Sequence, residues 1–153
     1  MTKFTIHTDG ASRGNPGDAA IAYVIVASEP LSTPLGHTIK QDNNLTEYCQ
    51  RIGQTTNNQA EYRALDIALD KLLEMSIAES SLEFYADSEL MIKQLMGEYR
   101  VKDPALRPLF DSIKSKLERL TDSGNIYTLS AIRRQFNKRA DELANYALDN
   151  HRS

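Results

Sequence analysis

The chain has 153 residues, 41% hydrophobic and 25% charged, with a formal net charge of −3. One domain spanning 1–153, large enough for a proper core, is the expectation. No apolar run approaches the ~20 residues that cross a bilayer, the opening MTKFTIHTDG carries no signal-peptide core, and the single cysteine, Cys49, excludes an intrachain disulfide and a thiolate zinc cage. A cytoplasmic monomer is therefore expected, with no membrane association and no obligatory protein partner. Cys49 itself reads as a strand-buried thiol. The negative charge argues at first against a polyanionic partner. Covering a few carboxylates with metal would reverse its sign, so charge alone neither requires nor excludes nucleic acid.

The chain opens on an alternating run: Phe4, Ile6 and Thr8 against Thr5, His7 and Asp9. It reads as a strand that delivers the carboxylate of Asp9 and breaks at Gly10. Gly14-Asn15-Pro16-Gly17 is a turn cluster, and Ala20 to Ala27 is a second strand, so the two form a hairpin. Ser28 to Asn44, with Pro30, Pro34 and Gly36, reads as a long connection. Thr46 to Gly53 reads as a third strand.

Asn58 to Met75 is the clearest helix, with Ala64, Leu65, Ala68, Leu69 and Leu72 as its apolar stripe. Ser81 to Ala86 is a fourth strand. Ser88 to Tyr99 is a second helix, with Leu90, Met91, Gln94 and Leu95 near one face, and Pro104 to Leu120 is a third. Ile126 to Ile132 is a fifth strand and Asn137 to Asp149 a last helix. The order βββαβααβα implies an α/β domain with a five-stranded mixed sheet: a three-stranded antiparallel meander followed by parallel strands through right-handed crossovers.

The acidic residues carry the chemistry. A carboxylate in a core strand is costly unless paired, hydrogen-bonded or on a metal, so Asp9 needs a partner. Asp87 ends a strand before a helix; alone it reads as an N-cap, but sites in open α/β sheets lie beyond the carboxyl ends of parallel strands. If strands one and four are neighbours, Asp9 and Asp87 lie about 4.8 Å apart. Asn58 to Glu61 resembles a capping box, yet Glu61 shares its helix face with the apolar stripe and so points toward the sheet. Asp141 falls on the sheet-facing side of the last helix, while Glu142 groups with Asn145 and Asp149 on the wet side. Four converging carboxylates cannot all stay ionised without cations. With no cysteine cage and no paired-histidine motif, the ligands are all oxygen, which favours Mg²⁺, with Mn²⁺ the other choice. Oxygen-ligated metal pairs perform in-line phosphoryl displacement.

These residues match a known family. Asp9-Gly-Ala-Ser with Gly14 to Gly17, Thr55 to Glu61 (TTNNQAE), Ala86-Asp87-Ser88 and Asn137 to Ala144 (NKRADELA) occur in the order and at the separations of type 1 ribonuclease H. The chain resembles that family along almost its whole length, notably the compact archaeal and bacterial branch without a basic protrusion or hybrid-binding domain. The resemblance implies a ribonuclease H-like fold. It implies metal-dependent endonucleolytic cleavage of the RNA strand of an RNA–DNA hybrid by a two-metal-ion mechanism, leaving 5′-phosphate and 3′-hydroxyl ends. Asp9, Glu61, Asp87 and Asp141 would be the catalytic metal ligands, and Glu61 would also help position a ribose 2′-hydroxyl. Asn15, Asn57 and Asn58 would contact backbone and sugars of the hybrid, with Thr56 near a DNA phosphate. Ser88, Arg133 and Arg134 complete the expected substrate-binding set. Small amides suit a 2′-hydroxyl, which both donates and accepts.

The chain also departs from the family. Many members carry a histidine in a loop before the last aspartate; here Arg133 to Arg139 contains none. His7 shares a strand face with Asp9 and reads as structural, His37 lies in the long connection, and His151 is about 15 Å beyond Asp141 along a helix. Proton movement is therefore expected without a histidine. There is no tryptophan, Glu98 to Arg107 offers only Arg100, Lys102 and Arg107 in place of a basic handle, and Gln54 stands where some relatives have arginine. Modest affinity and a small salt slope follow. Two other readings remain open. One is a broader nuclease of the same fold that also cuts double-stranded RNA; the other is a non-catalytic nucleic-acid-binding domain.

Overall fold

In the computed structural model, which describes residues 1–29 and 44–150, the N-terminal alternation produces one long strand, β1, over Lys3–Gly14. Gly10 does not break it. β1 pairs antiparallel with β2 (Gly17–Ala27) in continuous register, from Phe4↔Ala27 through Gly10↔Ile21 to Gly14↔Gly17. The expected break is thus corrected: the ladder runs past Gly10. The glycine answers a packing need instead, because a Cβ there would lie 2.2 Å from the carbonyl carbon of Ala60.

The remaining elements follow the expected order, with shifted ends. β3 (Leu45–Thr55) pairs antiparallel with β2. Helix α1 (Asn57–Glu74) leads to β4 (Ser81–Ala86), which runs parallel to β1. Helices α2 (Glu89–Leu95) and α3 (Arg107–Asp122) precede β5 (Ile126–Ala131), parallel to β4. A 3-10 turn at Arg134–Phe136 leads to α4 (Lys138–Asp149). The sheet order is β3-β2-β1-β4-β5, the expected meander with two parallel additions.

Two helices are shorter than their sequence pattern suggests. α2 stops at Leu95 because Gly97 takes φ 83° and its N–H bonds back to the Gln94 carbonyl. Leu90, within α2, is not a core residue but 40% exposed. α3 starts at Arg107 because Asp103 first closes a turn, its side chain accepting from Ala105 N–H and its carbonyl from Leu106 N–H. Pro108 then sits in the first turn, where a missing N–H costs nothing.

The core lies between the α1 stripe (Ala64, Leu65, Ala68, Leu69, Leu72), the sheet residues Phe4, Ile6, Leu82 and Phe84, and α3 through Ile113, Leu117 and Leu120. Alternation sends His7 and Val24 to the other face, where they line a hollow with Ala140 of α4. His7 stacks on Tyr85 at 5.1 Å, and burial lowers its pKa, in keeping with a structural residue. Cys49 is half-buried on the edge strand β3 rather than enclosed, since β3 pairs on one side only. The long connection, apart from its ends, and His37 and His151 lie outside the described residues. Among the described residues no helix is long and apolar enough to cross a membrane.

Candidate active site

The fold brings the predicted carboxylates to one end of the sheet. β1 and β4 are in parallel register at His7↔Tyr85. Asp9 and Asp87 therefore lie level, two residues further along each chain. Glu61 comes from the first turns of α1. Carboxylate oxygens of Asp9, Glu61 and Asp87 all lie within 4.8 Å of one another. Asp141, on the first turn of α4, stands next to Asp9 and raises its pKa through charge and a side-chain hydrogen bond.

Each carboxylate is held by local structure. The α1 N-cap is Thr56, whose Oγ accepts from Gln59 N–H at 3.2 Å. The capping-box alternative for Glu61 is therefore not used. Glu61 is 6% exposed and accepts from Gly10 N–H at 2.6 Å. Asp87 is not a cap either, because Ser88 Oγ takes that role by accepting from Met91 N–H at 3.2 Å. The Asp141 N–H donates to the Asn137 carbonyl, and the Asn137 side chain donates to the Thr8 carbonyl at 2.9 Å, tying α4 to the strand that carries Asp9.

The electrostatics are those of acids whose mutual repulsion and burial outweigh the nearby cation of Arg134. Asp9, 2% exposed, has its pKa pushed up to about 8 by burial first, then by the charges of Asp87 and Asp141. Glu61 is also raised well above its ordinary value by burial, then by Asp9 and Asp87, against the opposing Gly10 N–H. Asp9 Oδ2 and Asp87 Oδ2 are buried without a hydrogen-bond partner. Orphaned carboxylate oxygens in an all-oxygen cluster fit a hard divalent cation.

Around this cluster a cleft of about 810 Å³ is lined by Asn57, Asn58, Ser88, Arg133 and Arg134 from the predicted set. Asn15 and Thr56 do not line it. Asn15 sits at the hairpin turn, where its Oδ1 accepts from Asn57 N–H at 3.1 Å; Asn57 Oδ1 in turn accepts from Ser12 N–H at 3.0 Å. Backbone N–H groups only donate, so these two amides spend their oxygens on the fold and keep their NH₂ donors for a ligand. Arg134, 77% exposed in its side chain, reaches Asp87 Oδ2 at 3.6 Å, while Arg133 makes no such pair among the described residues.

Sequence reasoning missed two cleft residues. Asn145, assigned to the wet side, donates to Asp141 Oδ1 at 3.3 Å, and Arg13 donates to Asn145 Oδ1 at 3.5 Å. The i, i+4 spacing of Asp141 and Asn145 carried the signal for their contact, but nothing in it points to Arg13, from the far end of the chain.

Comparison with known proteins identifies the family. Residues 7–147 match a family model described as reverse transcriptase-like. A ribonuclease HI of Halobacterium salinarum is 37% identical over 141 residues, covering 92% of this chain and 62% of the relative. A bifunctional protein of Mycobacterium tuberculosis is 33% identical over 96% of this chain and 36% of its own length. The chain thus spans less than two thirds of these relatives' lengths. Among solved structures, RNase H1 from the halophilic archaeon Halobacterium salinarum superposes with a TM-score of 0.76 at 36% identity, covering 97% of this chain and 99% of that one. LC11-RNase H1, solved in complex with an RNA/DNA hybrid, gives a TM-score of 0.75 at 36% identity, covering 95% and 96%. With near-complete mutual coverage at that identity, and the same sheet bearing clustered acids at one end, the chain belongs to the type 1 ribonuclease H family.

Proposed function

We propose that residues 1–153 form one ribonuclease H domain that cuts the RNA strand of RNA–DNA hybrids in a divalent-metal-dependent reaction. The observation that carries this reading is the cluster of Asp9, Glu61 and Asp87 within 4.8 Å, in which Asp9 and Glu61 are buried with raised pKa values and Asp9 Oδ2 has no hydrogen-bond partner. The hybrid bound by LC11-RNase H1 supports the choice of substrate.

Asp9, Glu61, Asp87 and Asp141 would hold two cations, Mg²⁺ or Mn²⁺. Bound there, these would activate the attacking water and offset charge on the leaving oxygen. The water oxygen bonds to phosphorus as the P–O3′ bond breaks, leaving 5′-phosphate and 3′-hydroxyl ends. The chain's own part is placement. Gly10 N–H fixes Glu61, which faces Asp87 across the cluster and would help position a ribose 2′-hydroxyl. Asn57, Asn58 and Ser88 would offer neutral polar groups in the cleft to sugar and phosphate oxygens, with Asn15 and Thr56 adjoining them next to Asn57. Arg133 and Arg134 supply exposed cations for phosphate, and no histidine takes part in moving the proton.

The test is cleavage of labelled RNA–DNA, RNA–RNA and DNA–DNA duplexes, and of a duplex with a single ribonucleotide in DNA. Each is run with Mg²⁺, Mn²⁺ or EDTA, alongside Asp87→Asn. Metal-dependent cutting of the hybrid alone, lost in the variant, is the expected result. Cutting of RNA–RNA as well would establish the broader nuclease. Binding without cutting in any metal would overturn catalysis.

A further inference from the structure

Asp141 differs from the other three acids. It arrives on a helix packed over the sheet edge, outside the tight trio of Asp9, Glu61 and Asp87. A chain of donors that begins at Arg13, near the opposite end of the sequence, reaches its carboxylate through Asn145. Arg13, near the end of β1, donates to Asp149 Oδ1 at 2.6 Å and to Asn145 Oδ1 at 3.5 Å. Asn145 Nδ2 donates to Asp141 Oδ1 at 3.3 Å and to the Asp141 carbonyl at 2.9 Å. Residues 141, 145 and 149 are spaced four apart, so one face of α4 presents all three to the strand end.

We propose that Arg13 and Asn145 are positioning residues that orient Asp141 for cation binding, an inference that rests on the proposed role of Asp141 as a ligand. The argument is one of polarity. A guanidinium only donates, so its contact selects the amide orientation in which Asn145 turns oxygen to Arg13 and nitrogen to Asp141. The reversed amide would set oxygen against carboxylate. Asp149 holds the guanidinium in place through the same nitrogen, Nη2, that reaches Asn145. Arg13 also stands four residues after Asp9 on the same strand. The relay therefore fixes Asp141 relative to the strand that carries Asp9. The Arg13–Asp149 pair is half-exposed and contributes little stability of its own, so its effect should appear in the site and not in the fold.

The experiment measures Mn²⁺ binding to the substrate-free protein by calorimetry, and hybrid cleavage against Mg²⁺ concentration, for Arg13→Ala, Asn145→Ala, the double variant and Arg13→Lys. Loss of a group that orients a ligand weakens cation binding by about tenfold. Each single alanine variant should show this, with KM for hybrid and melting temperature unchanged. The double variant should be no worse than Asn145→Ala, because both act through one amide, and Arg13→Lys should restore part of the loss. Additive effects of the two substitutions would overturn the relay. So would a raised KM and shallower salt dependence for Arg13→Ala with unchanged cation binding, which would make Arg13 a phosphate contact. Undiminished Mn²⁺ binding in both single variants overturns the relay alone. No Mn²⁺ binding by the unsubstituted protein overturns the cation reading and the relay with it.

Discussion

Gly10 N–H donates to Glu61 Oε1 at 2.6 Å, and the same glycine lets the first turns of α1 lie directly on β1. A side chain at residue 10 would put its Cβ 2.2 Å from Ala60 carbonyl carbon and 2.4 Å from Glu61 nitrogen, both backbone atoms that cannot rotate away. Gly10→Ala should therefore push α1 off the sheet. The expected cost is about 3 kcal/mol, at the upper end for overpacking because backbone must move. Glu61 would lose its donor together with its position. Urea unfolding and hybrid cleavage should both register the change; a variant of parental stability would mean that the helix moves freely.

The Asp9 carboxyl gives a pH signature. Burial and the charges of Asp87 and Asp141 hold it at about 8 in the fold, against 3.8 for the ordinary side chain. Between those values the folded protein keeps a proton that the unfolded chain has lost. Stability of the cation-free protein therefore falls as pH rises through that window. Asp9→Asn removes the effect. In EDTA the variant should melt above the parent near pH 8 and with it near pH 4. Added Mg²⁺ should stabilise the parent at the higher pH and leave the variant nearly unmoved. Thermal unfolding at several pH values, with equal slopes for both proteins, would rule this out.

The elements, their order and the inward direction of Glu61 were legible because they rest on local periodicity. The α1 stripe alone separates Glu61 from a solvated first-turn glutamate, and Glu61 is buried as that stripe requires. What failed depends on tertiary contacts. Composition cannot tell a turn glycine from one that admits a helix, so Gly10 reads as a break. The α1 cap falls to Thr56 and not Asn58, since β3 runs on to Thr55 before the helix can begin. Asn145 looks solvated by helix spacing, which does not show that Arg13, 132 residues away, meets it at the cleft.

Arg134 occupies the loop in which many relatives carry a histidine. Its Nε lies 3.6 Å from Asp87 Oδ2, and its side chain is 77% exposed. The contact is long and its cation is exposed, so the pair stabilises by only about 1 kcal/mol although Asp87 is largely covered. Arg134→Ala should leave the melting temperature almost unchanged, weaken hybrid binding and reduce the slope of log affinity against log salt by about one. A large fall in melting temperature with an unchanged slope would assign Arg134 to holding Asp87 instead.

Asn137 joins the two ends of the chain at the site. Its side-chain NH₂ donates to the Thr8 carbonyl, beside Asp9, and its own carbonyl accepts from Asp141 N–H at 3.1 Å. It is 1% exposed, and its Oδ1 has no hydrogen-bond partner. Asn137→Ala removes one buried hydrogen bond but also one orphaned acceptor, so the cost should be about 1 kcal/mol, near the low end for a buried bond. Asn137→Asp is the more informative change. It keeps the shape, cannot donate when ionised, and sets a carboxylate against the Thr8 carbonyl. It should be the less stable of the two at neutral pH and recover on acidification, when the acid can donate again. In both variants kcat should fall with KM unchanged, because the tie aligns Asp141 with Asp9 and touches no substrate. Parental kcat in Asn137→Ala would show that α4 holds Asp141 in register without it.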